Sequence, residues 1–505
     1  MSSSPYPKLI EKLKRSHLLW TVSGLLGWDE QVNLPTDSSD QRAEQMALLA
    51  ELGHSAAADP EIGALLQELE NSRAVLDGDQ QTVVRHARRD YDRVTRLPAA
   101  FVSERARLNS NAYHAWARAR AENDFPAFAP FLEKHLEMAR REAEYLGWGD
   151  RPYDYALDKH DPGTTCDVIT TLFLELKAGL IPLVAEILSS PHKSPTGLFR
   201  GFPIEEQRRF LREVTERLGF NYRRGRLDVS LHPFCEGAGA DVRMTTRFNE
   251  DEPLDALFSS IHETGHGLYE QGLPLSDQGT PLGQAIGMAV HESQSRLWEN
   301  QVSRSRAFWT FFEPRFRAHF PTQTQSLSSD QLYRAINAVE PTLIRVDADE
   351  VTYNLHILLR FEIEQSLFRG DVTVRDLPSA WNECSARILG MSPPSDSKGV
   401  LQDVHWSGGM FGYFPSYCLG NMIAAQLWYK ANADLPGLEA DFASGNFGRL
   451  LGWLRRAIHS QGRRFDTLGI VRHVTGEDLS PRYLLRYLRE RYSPLYLMGD
   501  RKNEV

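Results

Sequence analysis

Cysteine is scarce in this chain. Only Cys166, Cys235, Cys384 and Cys418 occur among 505 residues, and no two of them form a C-x-x-C pair. That argues against a disulfide framework and fits a reducing cytoplasm. A leading apolar run is missing as well, because Met1 to Leu19 mixes Ser, Pro, Glu, Lys and Arg where a signal peptide would place a continuous apolar segment. No other stretch reads as a membrane span. The expectation is a cytoplasmic protein, soluble where it is made. Positive charge is also in short supply, with 57 Lys plus Arg against 67 Asp plus Glu and a net charge of −10. Nucleic acid and anionic membranes are therefore poor partners. The one compact basic cluster, Arg223-Arg224-Gly225-Arg226, reads as a solvated turn. No repeat of fixed period and no low-complexity segment emerges.

Apolar residues, by contrast, make up 41% of the chain, ample for a large buried core. Within that frame one stretch carries chemistry: Ile261-His262-Glu263-Thr264-Gly265-His266. On an α-helix His262 and His266 lie about 40° apart on one face. Two neutral imidazoles so placed can grip one Zn²⁺ and leave a coordination position open for water, whose proton Glu263 takes as it attacks a carbonyl. The flanks read as a buried helix, with Leu254, Leu257, Phe258, Ile261, Leu268 and Tyr269 at helical spacing. Pro253 suits its first turn, and Gly272 and Pro274 suit its exit. Gly265 and Gly267 each cost about 1 kcal/mol against Ala in a helix unless something packs closely there. They predict a neighbouring segment pressed against this helix.

A third protein ligand is needed. The longer pattern H-E-x-x-H-x-x-G-x-x-H is excluded, because Tyr269 and Gly272 stand where Gly and His would be required. The next helical-looking stretch, Gly287 to Glu299, supplies His291, Glu292 and Glu299. Glu292 would complete a His₂Glu site of the catalytic type. His291 is the runner-up, since a lone histidine more often supports a ligand than acts as one. Spacing alone leaves the choice open.

Six motifs then fall in a recognisable order: His232-Pro233-Phe234, Asp241-Val242-Arg243-Met244-Thr245, His262 to His266, His291-Glu292-Ser293-Gln294, Ile344-Arg345-Val346-Asp347-Ala348-Asp349, and Gly399 to Trp406. In these the chain resembles the M32 family of metallocarboxypeptidases, the carboxypeptidase Taq type, along nearly its whole length. The resemblance implies an all-α fold with a deep central cleft, similar to other HEXXH oligopeptidases. It implies His262, His266 and Glu292 as metal ligands, Glu263 as general base, and one Zn²⁺ per chain. Co²⁺ is an admissible substitute, because His₂Glu ligation selects weakly among borderline ions. Peptides with a free C-terminus as substrates, broad specificity and a homodimer follow from the same resemblance. Two rivals remain: an oligoendopeptidase with the same constellation, and a non-catalytic helical metal-binding protein, in which an intact Glu263 would have little purpose.

The rest of the chain fits one catalytic unit over 1–505, with a helical wall or lid over 1–220 and the metal site and cleft over 221–505. Helices are expected at about Lys8 to Leu26, Gln41 to Leu52, Pro60 to Glu70, Gln80 to Leu97, Pro98 to Ala121 and Pro126 to Leu146, then Asp167 to Leu188 and Ile204 to Leu218. Trp28-Asp29-Glu30 reads as a helix end packed on the core. Tyr153 to Gly163 reads as a turn-rich connection, with Thr164 or Thr165 capping the helix after it. Between Asn221 and Phe248, short alternating runs around Gly237-Ala238-Gly239 predict a small β-element, a hairpin beside the metal helix, whose edge can hold an extended peptide.

A carboxypeptidase must recognise a terminal carboxylate, and Arg345 is the first candidate for a guanidinium fork, with Arg243 as its rival. The structural alternative for Arg345 is an ion pair with Asp347 or Asp349. His232 and Asp241 join the substrate-binding candidates through their motifs. Near Gly408 and Gly409, the donors His405, Tyr413 and Tyr417 are candidates to stabilise the oxyanion of the attacked carbonyl. Buried tyrosines with ordinary hydrogen bonds are the alternative.

Overall fold

A computed structural model describes residues 4–496. The N-terminal region is a series of helices: α1 (Pro5–Val32), α2 (Ser39–Ala57), α3 (Pro60–Asn71), α4 (Gly78–Thr95), α5 (Ala99–Glu122) and α6 (Phe125–Tyr145). Their starts follow local chemistry. Asp59 and Asp124 each accept a hydrogen bond from a free N–H of the first turn, and Asp77 with Gln80 forms a reciprocal capping box. α1 runs beyond the expected Leu26 and buries Trp28 near its end. There the Arg42 guanidinium ties it to α2 through Asp29 and the Leu26 carbonyl, both at 2.6 Å. Leu9, Ile62, Leu65, Leu66, Leu69, Val84 and Ala87 give α1, α3 and α4 a small core of their own.

The stretch from Tyr153, expected as a connection, forms a helix instead, α7 (Pro152–His160). Pro152 presets its first turn, and Tyr153, Ala156 and Leu157 make a buried stripe at i, i+3 and i+4. Its tyrosines look polar in sequence but donate inward, Tyr153 to Glu364 at 3.0 Å and Tyr155 to Glu142 at 3.0 Å. The next helix, α8 (Cys166–Ser189), has Thr165 at its N-cap position without a side-chain cap. Asp154 takes that role, accepting from the Cys166 N–H at 2.6 Å. Contrary to the sequence expectation, α8 is long and apolar enough to cross a bilayer by length and composition. In this fold its stripe from Ile169 to Ile187 is buried in the main core. α9 (Ile204–Leu218) matches its expected bounds.

The β-element has three strands, β1 (Gly225–Val229), β2 (Cys235–Ala238) and β3 (Asp241–Thr246), in the order β1-β3-β2. β2 and β3 are the expected hairpin, whereas β1 lies parallel to β3, pairing Leu227 with Met244. Val242 and Met244 are buried toward the helix that follows, α10 (Pro253–Glu270). Arg243 therefore faces the other way, where its guanidinium lies 4.2 Å from the Trp28 ring of α1. The sheet is thus held between α1 and α10.

α10 is covered by α11 (Met288–Arg296), which continues as a π-helical segment, Leu297–Val302. The two glycines of the motif helix do what their cost predicts. A Cβ on Gly265 would stand 2.5 Å from Ser295 Cα, and one on Gly267 2.7 Å from the Phe220 ring. Gly420 repeats the device on the far side of α11, where a Cβ would stand 2.6 Å from Glu292 Cγ. α11 is therefore clamped between α10 and a helix of the C-terminal region. That region comprises α12 (Arg306–His319), α13 (Pro321–Thr324), α14 (Ser329–Ile336), α15 (Tyr353–Arg369), α16 (Leu377–Ile388) and α17 (Phe414–Asp434), which carries Gly420. α18 (Leu438–Ala443), α19 (Gly448–Ala457), α20 (Thr467–Thr475) and α21 (Arg482–Tyr496) complete it.

Candidate active site

The clamp brings three donor atoms together. His262 Nε2 and His266 Nε2 each lie 3.5 Å from the same oxygen of Glu292, Oε2, and the three ligand atoms fall within 4.8 Å of one another. A tetrahedral ion with bonds of about 2.0–2.1 Å needs donors about 3.3–3.4 Å apart. The two histidine–Glu292 pairs match that spacing. Their charge fits as well, because the other Glu292 oxygen accepts from Arg296 Nε at 2.7 Å. Burial would raise the Glu292 carboxyl, but Arg296 and both histidines outweigh it and hold it ionised, well below the usual carboxylate range. Burial pushes His266 down to about 3, so it is neutral and its lone pair is available. Burial works the same way on His262, but Glu292 and Glu299 reverse it and raise that imidazole. A cation entering the site displaces that proton.

Each histidine is oriented from behind. His262 Nδ1 stands 2.9 Å from Glu299 Oε2, an oxygen also reached by Arg296 at 3.2 Å. Burial opposes ionisation of Glu299, yet Arg296, His262 and Arg304 hold it at about 2. His266 Nδ1 stands 2.5 Å from His291 Nδ1, and His291 Nε2 stands 2.9 Å from Glu270. For His266 Nε2 to offer its lone pair to a cation, its Nδ1 donates to His291 Nδ1, and His291 donates from Nε2 to Glu270. His291 thus supports a candidate ligand, as the sequence alternative allowed. Glu299→Gln and His291→Ala are each expected to weaken metal affinity by about ten- to a hundredfold, measured by competition with a chelating dye.

Glu263 lies between the two histidines on α10 and is buried. Burial pushes its carboxyl up to about 7, with the charge of His262 pulling the other way. A carboxylate of that basicity can take a proton near neutral pH. Burial pushes the Cys235 thiol of β2 well up, and the charge of Glu263 adds to the shift.

The structure divides the substrate-binding candidates. Arg345 is buried, and its partner is neither Asp347 nor Asp349. It donates to Asp403 at 2.9 Å and to the Tyr353 hydroxyl at 3.0 Å. Arg360 binds the other Asp403 oxygen, so two buried guanidiniums share one carboxylate. Asp349 instead accepts from the backbone of Val351 and Thr352 and from the Thr352 hydroxyl. The Arg345 cluster adjoins the three-ligand centre, because Tyr353 also packs under Arg296, whose guanidinium lies 4.5 Å from its ring centre. Arg243 is placed elsewhere, in a bidentate pair with the exposed Asp241 on the Trp28 side of the sheet. His232 is exposed in the loop before β2. His405 is buried, held at about 4 by that burial, with Nε2 3.3 Å from the Tyr417 hydroxyl. Tyr413 stacks edge-on 5.4 Å from Tyr417, and burial together with the Glu292 charge pushes its phenol up to about 12. Both phenols are neutral donors beside Glu292.

Sequence reasoning did not assign Arg296, Tyr353, Asp403 or Glu270. Arg296 had a signal, since it stands one turn after Glu292 on the same helix face. Asp403 lies inside the Gly399 to Trp406 motif without any local sign of its partner.

Over residues 8–492 the chain matches the family described as carboxypeptidase Taq (M32) metallopeptidase. Thermostable carboxypeptidase 1 of Thermus thermophilus is 44% identical over 504 residues, covering 97% of this chain and 99% of that protein. Carboxypeptidase 1 of Bacillus subtilis is 40% identical over 494 residues, covering 97% and 98% respectively. The crystal structure of an M32 carboxypeptidase from Deinococcus radiodurans R1 superposes with a TM-score of 0.95 at 42% identity, covering 98% of this chain and 100% of that one.

Proposed function

The chain belongs to the M32 family, the carboxypeptidase Taq metallopeptidases, and we propose that it removes C-terminal amino acids from peptides at one divalent ion held by His262, His266 and Glu292. The observation that carries this site is the convergence of three donor atoms within 4.8 Å beside the buried carboxylate of Glu263. When bound, the ion polarises the scissile carbonyl and makes the attacking water more acidic. Glu263 takes that water's proton and returns it to the departing amino group. Arg345 pins the terminal carboxylate through a charge-assisted fork, supported by the excess of one positive charge in its cluster with Arg360 and Asp403. Tyr417, bonded to His405, and Tyr413 donate to the oxyanion that develops on the carbonyl. Arg243 is the weaker candidate for the carboxylate, because it points away from α10. Asp241 pairs with it, and His232 lies at the loop that leads into the β2 edge, where peptide backbone can bind.

Zn²⁺ is the ion we propose, with Co²⁺ as a working substitute. A cytoplasmic homodimer of single catalytic units acting on peptides of broad sequence completes this reading. Purified protein is expected to carry about one divalent ion per chain by elemental analysis, and a chelator is expected to remove ion and activity together. Metal-free protein with full peptidase activity would overturn the assignment.

A further inference from the structure

A cavity of about 470 Å³ opens between α1, α4 and the 279–285 segment. Its volume is within the range of pockets that hold small ligands. Leu13, Ile62, Tyr91 and Val94 give it an apolar wall, and Ala238, the last residue of β2, and Glu270, the last of α10, close the side toward the metal helix. At its rim His17 stacks 5.7 Å from Trp20, whose indole is 56% exposed. That indole leaves apolar area uncovered beside the hollow.

The cavity's place along α10 relates it to the candidate ligands. α11 runs antiparallel to α10, with His291 against Glu270 at one end and Glu299 against His262 at the other. The Arg345 cluster joins the centre at the Arg296 end, through Tyr353. The cavity lies at the Glu270 end, one helical turn beyond His266, and Glu270 is the lining residue that also bonds His291. The candidate ligands therefore lie between the guanidinium and the cavity. A peptide laid from Arg345 across these ligands runs on toward Glu270.

We infer that this cavity binds the side chains of the peptide upstream of the scissile bond and selects apolar ones; the inference rests on the carboxypeptidase reading above. The acidic groups of the cavity sharpen the choice. Asp90 is paired with Arg463 outside the wall, at 2.8 Å, and Glu270 is engaged by His291. Among the described residues, the lining presents no lysine or arginine to an acidic side chain.

The test compares N-acylated tetrapeptides that share their last two residues and carry Leu, Ser or Asp at the two upstream positions, with the N-acylated dipeptide as reference. Leu peptides are expected to exceed Ser peptides about tenfold or more in kcat/KM, as burial of one or two such side chains provides, and Asp peptides to fall below both. Ala285→Trp narrows the cavity from a half-buried loop position, and Ser16→Asp adds a charge to its α1 wall. Each is expected to bring the ratio of Leu tetrapeptide to dipeptide down to that of the Ser series. Equal rates for Leu, Ser and Asp peptides in the unaltered protein, or a ratio unmoved by both variants, would overturn the inference. Failure to cleave the acylated dipeptide as well as every tetrapeptide would instead count against the carboxypeptidase reading itself.

Discussion

Glu263→Gln is expected to keep its divalent ion and lose at least about a hundredfold in kcat, because it removes a proton acceptor and no ligand. Glu292→Gln and His266→Ala are expected to do the opposite, releasing the ion first and activity with it. Elemental analysis beside single-turnover kinetics separates the two classes. The pH profile gives a second reading of the same residue. A base must be ionised, so kcat/KM should rise with pH through the ionisation of Glu263 and then level. Burial pushes that carboxyl up to about 7 in the metal-free protein, and a nearby cation draws the limb lower. In Glu263→Gln this acidic limb should disappear from the residual rate. An empty site in Glu263→Gln and a filled one in Glu292→Gln would exchange the two roles.

A C-terminal amide should lower kcat/KM by about a hundredfold or more relative to the free acid of the same peptide. The amide deletes the anion and leaves every side chain in place. Arg345 keeps Asp403, but its cluster with Arg360 is left with one desolvated positive charge uncompensated, at a cost of several kcal/mol. Arg345→Ala should reproduce the loss on the acid and change the poor amide rate little, since two changes that remove one interaction do not add. The thermal midpoint of the variant belongs beside these rates, because Arg345 also holds Asp403. Arg243→Ala is the control, and its acid-to-amide ratio should match the unaltered protein. Equal cleavage of acid and amide, with fragments released from the middle of the peptide, would favour the oligoendopeptidase alternative.

The parts of this arrangement that are local in the chain are legible in its sequence. The motif helix shows in the 3.6 period of its apolar residues, and its two glycines announce a close neighbour that proves to be α11 at Gly265 and Phe220 at Gly267. α9 is readable to the residue because its stripe is strong and Gly219 ends it in the left-handed region. What the sequence hides is nonlocal. Tyr153 to Asp158 looks like a loop because its acids serve distant partners, Asp154 at Cys166 and Asp158 at Arg89 and Arg93. The parallel pairing of β1 with β3 skips over β2, which no pattern within either strand specifies. Arg345 has two acidic neighbours in sequence, yet its carboxylate comes from Asp403 across a fold that also delivers Arg360. Arg243 keeps its place in a motif while the pleat of β3 turns it toward Trp28.

α8 carries a consequence for synthesis. Its apolar stripe is covered in part by α21, and the turn after it is fastened to the same helix, where the Ser190 hydroxyl donates to the Tyr496 carbonyl at 2.8 Å. The two residues of that bond are 306 positions apart in the chain. At about 5–20 residues per second, a ribosome holds α8 without that cover for roughly 15 to 60 s. Through that interval the nascent chain lacks one cover of a segment that by length and composition could cross a bilayer. A chain stopped before α21 should therefore be captured by chaperones or aggregate, even though every residue of the metal centre has already been made.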